Sequence, residues 1–186
     1  MARKQRPLYS VVIDSREQQR YRFGHPHRRE LGDGGAIIYG LAEGDYAAML
    51  DGILLPCRIE RKSLGDLFGV VGYGRERFEA ELERLRPYRS FLIIEATADQ
   101  VRAGYERSKI SGEAAWASVI HWSVLFNITP IFAGSYRTGN AACARILEEV
   151  AVHHEEIKIQ DSTEAGDKAV TGPSAQEAKT DSDQQG

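Results

Sequence analysis

Residues 44–66 read GDYAAMLDGILLPCRIERKSLGD, and this stretch decides the fold. Within it, Asp51-Gly52 separates two runs of alternating apolar residues. An Asp-Gly pair in that setting is typical of a type I′ β-hairpin. We therefore predict a hairpin whose strands cover residues 45–50 and 53–61, joined by a two-residue turn.

The turn length predicts which residues of the hairpin pair. Leu50 is expected to pair with Ile53, and the same register places Asp45 opposite Arg58. Glu60 is then the diagonal neighbour of Asp45 on the same face. The opposite face is apolar and is the expected core side of the hairpin; it carries Tyr46, Ala48, Leu50, Ile53, Leu55, Cys57 and Ile59.

The polar face of the hairpin contains the candidate site, formed by Asp45, Glu60 and Lys62. Carboxylates on adjacent strands suit a hard divalent cation such as Mg²⁺. Such an ion lowers the pKa of a bound water and neutralises phosphodiester charge during attack. Lys62 points to the same face, where an ammonium can orient water or stabilise developing negative charge. Asp14, at the end of another predicted strand, is a further candidate ligand.

Each of these residues also has a simpler interpretation. Taken alone, three charges of this kind are more often ordinary solvated charges on the polar face of a half-buried hairpin. Asp66 follows Ser63 by three residues, as in a capping box, so it is also a candidate helix-capping acid. Arg61 falls on the apolar face by parity, where a structural ion pair is expected.

The rest of the chain alternates between predicted strands and helices. Pro130 predicts that the last strand lies at a sheet edge or begins there. The alternation favours an α/β fold with helices on both faces of a sheet. Strands are expected over residues 8–14, 36–41, 90–95 and 128–133, helices from residue 63 and over 75–86, 111–126 and 140–154, and a loop or short helix over 16–35.

Charge is unevenly distributed along the 186 residues. The overall net charge is −3, but residues 161–186 alone carry −4 and residues 1–30 carry +5. We expect a basic extension over 1–7, one domain over 8–156 and a disordered acidic tail over 157–186. The local basic patches are compatible with a phosphate-backbone partner and equally with ordinary solvated surfaces.

Composition also narrows the location of the protein. No apolar run approaches the roughly 20 residues of a membrane span, and no signal peptide is evident. Cys57 and Cys143 are far apart and lack metal-ligand spacing, which favours buried thiols in a reducing compartment. A cytoplasmic, nucleoid-associated protein is expected.

Several motifs together resemble the XPF-type nuclease domain. The family signature is Gly-Asp, a spacer, Glu-Arg-Lys, three residues and Asp, which matches residues 44–46 (GDY) and 60–66 (ERKSLGD). Residues 12–17 (VIDSRE) resemble the preceding strand, and Arg77-Phe78 with Glu81 resemble the Arg-Phe-x-x-Gln helix. The likeness extends over about residues 8–150, including the strand at 91–95 and the helix and strand at 111–132.

The resemblance implies a restriction-endonuclease-like mixed β-sheet flanked by helices. It also implies Mg²⁺-dependent or Mn²⁺-dependent cleavage of DNA at flaps, forks or other junctions of duplex and single strand, in repair or recombination. Carried over by position, it assigns Asp14, Asp45 and Glu60 to the metal site, Lys62 as catalytic lysine, Asp66 as a supporting acid, Arg61 and Arg16 as required arginines, and Arg75 and Arg77 as weaker phosphate contacts.

The sequence departs from the family pattern in three ways. Glu81 stands where the family has Gln, and we find neither a preceding helicase region nor a following helix-hairpin-helix module. A stand-alone nuclease is therefore expected, with a homodimer through the nuclease domain possible and the preference for branched DNA less well supported. A non-catalytic DNA-binding or scaffold subunit is the alternative, and an RNA-specific or duplex-specific nuclease of the same fold is a third hypothesis.

Overall fold

The computed structural model describes residues 9–23 and 36–155. The predictions for the basic extension, for residues 24–35 of the loop and for the acidic tail lie outside these residues. None of the described helices is long and apolar enough to cross a membrane.

Seven strands and five helices are found in the described residues; five strands come first, and helices and single strands follow. The strands are β1 (Tyr9–Asp14), β2 (Ala36–Tyr39), β3 (Tyr46–Leu50), β4 (Ile53–Leu54), β5 (Cys57–Lys62), β6 (Arg89–Ile94) and β7 (Ile128–Phe132). The helices are α1 (Leu64–Val71), α2 (Arg75–Leu85), α3 (Ala98–Ala103), α4 (Gly112–Leu125) and α5 (Tyr136–Val152).

The strands form one mixed sheet in the order β2-β1-β3-β5-β6-β7, and β4 pairs with β3. The pairs β1–β3 and β3–β5 are antiparallel, whereas β1–β2, β5–β6 and β6–β7 are parallel. The predicted α/β class with a mixed sheet is confirmed. β7 is an edge strand, as Pro130 predicted, because proline has no N–H to give to a further strand.

Helices cover both faces of the sheet. On one face, α1, α2 and α4 pack in a core that includes Phe78 and Trp122, whose rings meet edge to face at 4.9 Å. On the other face, α5 approaches so closely that a Cβ on Gly139 would lie 2.4 Å from the hydroxyl of Tyr21. The strands between them are therefore buried on both sides, as the apolar run of β6 predicted.

The predicted hairpin register holds from the turn to Leu55, whose N–H donates to the carbonyl of Ala48 at 2.8 Å. Beyond it the register changes, because Tyr46 pairs with Ile59 instead of Cys57. The ladder is interrupted around Pro56, where Cys57 N–H donates to the carbonyl of Leu55 at 2.8 Å. Proline at position 56 lacks the N–H that regular pairing needs, and this bulge adds two residues, so the two faces keep their composition.

Three further expectations need correction. Ile53 was placed in the core, but it lies beside the turn and is 69% exposed. α3 was not predicted; Thr97 and Gln100 form its capping box. α5 begins at Tyr136, four residues earlier than expected, because the Ser135 side chain accepts the N–H of Thr138 and caps it there.

Candidate active site

Three carboxylates stand side by side on neighbouring strands. The corrected register places Glu60 directly across from Asp45, because Tyr46 and Ile59 are the adjacent pair. The N–H of Asp14 donates to the carbonyl of Asp45 at 2.8 Å, which continues the β1–β3 ladder to the acids. All three acids line one open cavity of about 280 Å³, together with Lys62.

Local backbone geometry explains why the acids meet here. β1 ends at Asp14 and the antiparallel β3 starts just after Asp45, so both lie at the same edge of the sheet. Gly44 has φ +72°, and a Cβ there would lie 3.3 Å from the Cβ of Arg58. Glycine at this position therefore lets the chain enter β3 closely against β5.

Asp14 is 3% exposed and is paired with Arg16. Arg16 Nε donates to both carboxylate oxygens, at 3.1 and 2.9 Å, and its backbone N–H donates to Oδ1 at 2.9 Å. Burial alone would raise the pKa of Asp14, but the hydrogen bonds and charge of Arg16 outweigh it and hold this pKa below its usual value. The negative charge of Asp14 is therefore balanced by Arg16.

The negative charges of Asp45 and Glu60 are balanced less completely by neighbouring groups. Burial raises the pKa of Asp45 and the charge of Glu60 raises it further, although the backbone N–H of Arg61 donates to Asp45 Oδ2 at 2.7 Å. Burial also raises the pKa of Glu60, against the opposing ion pair with Lys62. For Lys62, burial lowers the pKa, but Glu60 and Asp45 raise it more, so the ammonium stays charged.

Removing the charge of Asp45 is expected to stabilise the metal-free protein. The folded carboxyl keeps its proton to higher pH than the unfolded one, so the stability of the native protein falls as pH rises from about 4 through the raised pKa of the folded group. An asparagine side chain cannot ionise, so the variant escapes this loss. In EDTA, Asp45→Asn should therefore raise the free energy of unfolding by about 1–3 kcal/mol at pH 8 and by little at pH 4.5.

Urea unfolding at the two pH values measures this gain. Asp99→Asn, at an exposed position in the first turn of α3, is the matched control and should show little dependence on pH. An Asp45→Asn gain of equal size at pH 4.5 and pH 8 would contradict an origin in the raised pKa.

The carboxylate oxygens of the three acids are the ligand type that a hard cation prefers, but their side chains are not arranged as a metal centre. Among residues 9–23 and 36–155, no group of three His, Cys, Asp or Glu side chains is set out as a metal centre. Arg16 and Lys62 instead supply the positive charge beside Asp14 and Glu60. The charge of buried Glu60 raises the pKa of half-buried Asp45, and a divalent cation bound to both carboxylates would relieve this repulsion. The metal set Asp14, Asp45 and Glu60 remains a prediction.

Arg61 lies on the opposite face of β5 from the acids, as its parity predicted. Its guanidinium makes a fork with Glu95, with Nε at 2.7 Å and Nη2 at 2.8 Å from the two carboxylate oxygens. Nη2 also donates to Gln19 Oε1 at 2.8 Å. The backbone N–H of Arg61 contacts the site through Asp45, and its side chain pairs with Glu17, which lines the cavity, at 3.7 Å. Its main contact, with Glu95, is placed to position β5.

Asp66 lies at the exposed start of α1 and does not line the acidic cavity. Its carboxylate accepts the Ser63 hydroxyl at 2.6 Å, and its N–H donates back to that oxygen at 3.2 Å. The predicted helix start at Ser63 is confirmed. Asp66 does line a neighbouring groove together with Lys62, and its supporting role in chemistry stays a prediction.

The candidate phosphate-binding arginines are in different settings. Arg75 bridges to α4, donating to Ser118 Oγ at 2.9 Å and pairing with Glu79 at 2.8 Å. Arg77 lines the acidic cavity with its side chain 84% exposed, and Arg16 lines it at 70%. Arg77 is therefore accessible to a ligand at the acids, whereas Arg16 would first have to leave Asp14 and the carbonyl of Leu41, and Arg75 would have to leave α4.

Two charged residues that line the cavity, Glu17 and Arg84, had no role assigned from the sequence, and Glu81, matched only to the family's Gln, lines it as well. Glu17 and Glu81 add negative charge near Glu60, and Arg84 adds a cation on α2. The sequence did contain a signal for Glu81 and Arg84, because Arg77, Glu81 and Arg84 follow helical spacing and face one side of α2. Glu17 lies in an irregular segment, where no periodicity indicates direction.

The comparisons with known proteins agree with this geometry. The chain is similar to the solved structure "XPF from Aeropyrum pernix", with a TM-score of 0.54 and 16% sequence identity, covering 84% of this chain and 69% of that chain. It is also similar to "XPF from Aeropyrum pernix, complex with DNA", with a TM-score of 0.55 and 16% identity, covering 76% of this chain and 64% of that chain. No family model and no curated protein matches the sequence.

The solved structures establish the fold class. The α/β sheet flanked by helices is shared with XPF over most of this chain, which is the family that the sequence motifs resemble. At 16% identity the likeness is one of fold. The activity therefore has to be argued from the site.

Proposed function

We propose that this protein is a divalent-metal-dependent endonuclease that hydrolyses phosphodiester bonds in DNA. The observation that carries the proposal is the row of Asp14, Asp45 and Glu60 beside Lys62, in one open cavity. The XPF structure in complex with DNA supports DNA as the substrate.

Each residue of the site has a proposed task. A bound Mg²⁺ or Mn²⁺ would neutralise phosphate charge and activate water. Asp45 and Glu60 would hold it, with Asp14 as a third ligand once Arg16 turns toward the substrate. Lys62, kept charged by its acidic neighbours, would hold a water or phosphate oxygen for in-line attack.

The finer points of the proposal concern the form of the DNA. We propose branched DNA, such as flaps and forks, in repair or recombination, and a homodimer through the nuclease domain. The similarity to the XPF structures supports the fold, and the resemblance of the motifs supports activity at such junctions. Exposed Arg16 and Arg77 at the cavity support a phosphate-backbone ligand.

A cleavage assay tests the proposal. A 3′-flap duplex, a linear duplex and a matching RNA would be incubated with Mg²⁺, with Mn²⁺ or with EDTA. We expect cleavage of the flap only with metal, less of the linear duplex and none of the RNA. Asp45→Asn should lose on the order of a hundredfold or more in rate while still binding the flap.

The outcomes separate the competing functions. Equal cleavage by the wild type and Asp45→Asn would remove the acidic row from the mechanism. Flap binding without cleavage in any metal would instead favour a non-catalytic DNA-binding or scaffold subunit. Preferential cleavage of RNA or of linear duplex would correct the substrate and leave the site assignment in place.

A further inference from the structure

Tyr73 is the most exposed large hydrophobic residue of the described chain, with 99% of its surface accessible. It lies between α1 and α2 in a turn held by backbone hydrogen bonds, including Gly74 N–H to the carbonyl of Gly69 at 3.2 Å. Its hydroxyl would be 3.7 Å from a Cβ on Gly69, so the side chain lies alongside α1. An aromatic side chain is normally largely buried, so this one has the position of a contact residue.

Tyr73 stands between two grooves that connect to the acidic cavity. The first groove, of about 390 Å³, shares Lys62 and Arg77 with that cavity. The second, of about 370 Å³, shares Gly65, Gly69 and Tyr73 with the first. The three openings therefore form a continuous track from the acids, past the tyrosine ring, to the loop before α4.

Basic side chains lie at both ends of the two grooves, and two glycines of α1 line both of them. Arg77 lies at the near end of the track, and the exposed Arg107 and Lys109 lie at its far end. Gly65 and Gly69 line both grooves, and tyrosine rings lie against them: a Cβ would be 3.2 Å from the Tyr105 hydroxyl at Gly65 and 3.7 Å from the Tyr73 hydroxyl at Gly69. Asp66 is the acid that lines the first groove, and it is engaged by Ser63.

We propose that this track binds a single-stranded segment of the DNA substrate, with one base stacked on Tyr73. Arg77, Arg107 and Lys109 contact its phosphates on either side. A single strand fits better than a duplex, because duplex bases are already stacked and present no free face to the ring. The inference rests on the proposed nuclease function, since the track would lead the single-stranded arm of a junction into the acidic cavity.

Binding measured without cleavage tests the track. Fluorescence anisotropy would be recorded in EDTA with labelled oligothymidylate, with a flap substrate and with a blunt duplex. Tyr73→Ala should weaken oligothymidylate binding by about tenfold, the effect of losing one stacked base, and should leave the blunt duplex unchanged. Tyr73→Phe keeps the ring and should bind within about twofold of the wild type. Tyr39→Ala, a 56% exposed tyrosine on β2, is the matched control.

A second readout reports stacking directly. A 2-aminopurine placed in the single-stranded arm should lose fluorescence on binding to the wild type and to Tyr73→Phe, but not to Tyr73→Ala. Equal affinity and equal quenching for the wild type and Tyr73→Ala would overturn the inference. So would a change in oligomeric state caused by Tyr73→Ala in sedimentation, because the ring would then contact a second copy of the chain.

The inference and the proposed function fail separately. If the wild type cleaves flaps in an Asp45-dependent way while Tyr73→Ala binds oligothymidylate normally, only the track is wrong. If no substrate is cleaved but Tyr73 still determines single-strand binding, the enzyme proposal is wrong and the track remains.

Discussion

Glu60→Gln is expected to lower the single-turnover rate of flap cleavage by on the order of a thousandfold. Glu60 is buried at the β5 end of the acidic row, and glutamine keeps its shape while removing the charge that the proposed cation needs. Flap binding in EDTA should stay within about twofold, because phosphate contacts from basic side chains dominate affinity for DNA.

Controls and combinations sharpen this result. Glu83→Gln makes the same change on the exposed side of α2, where Glu83 pairs with Arg86, and should cleave like the wild type. Adding Asp45→Asn to Glu60→Gln should cause little further loss, since ligands of one metal act as a unit. A Glu60→Gln protein that cleaves within about tenfold of the wild type would exclude Glu60 as an essential ligand.

Arg61→Met is expected to lower the free energy of unfolding by about 3–5 kcal/mol, since it leaves Glu95 buried without its partner. The Arg61 side chain is 5% exposed and that of Glu95 is 8% exposed, and the fork between them joins β5 to the end of β6. Burial alone would lower the pKa of Arg61, but Glu95 raises it, so the guanidinium stays charged. Urea denaturation or the thermal midpoint, lower by roughly 6–20 °C, measures the loss.

The same pair offers its own control. Arg61→Met combined with Glu95→Leu should recover much of the stability, because the unpaired charge is removed with its partner. Arg86→Met breaks an exposed pair with Glu83 and should cost no more than about 1 kcal/mol. If Arg61→Met lost cleavage while keeping full stability, the side chain would act on the substrate and not on the position of β5.

Regular elements of the fold were predictable where one local signal was strong. The helix over 111–126 and the strand over 90–95 match α4 and β6 to within a residue or two, because the Ser111 side chain caps α4 and a continuous apolar run forms β6. α3 was not predicted, since its six residues offer little periodicity. The early start of α5 depends on the cap formed by Ser135, and a serine caps a helix only when its backbone adopts an extended conformation there.

The sequence predicted which residues form the candidate site better than it predicted how they are arranged. The motifs named the acids and Lys62, and parity placed Arg61 on the other face, where it is found. The two-residue bulge before Cys57 was not predicted, and it is what moves Glu60 from diagonal to adjacent to Asp45. Glu17 lines the acidic cavity and the exposed ring of Tyr73 lines the neighbouring groove, and no spacing in the chain indicates that these two segments come together.

The sequence alone determined the alternation of strands and helices, the composition of the two hairpin faces and the identity of the charged residues, because periodicity and turn chemistry act over a few residues. The tertiary structure decided which charges are paired, which are buried, and where the acidic cavity opens. Those properties depend on the bulged register, on helices packed from distant segments and on burial, which shifts the pKa of Asp45 and Glu60. Electrostatics of this kind arise only from the folded arrangement of the chain.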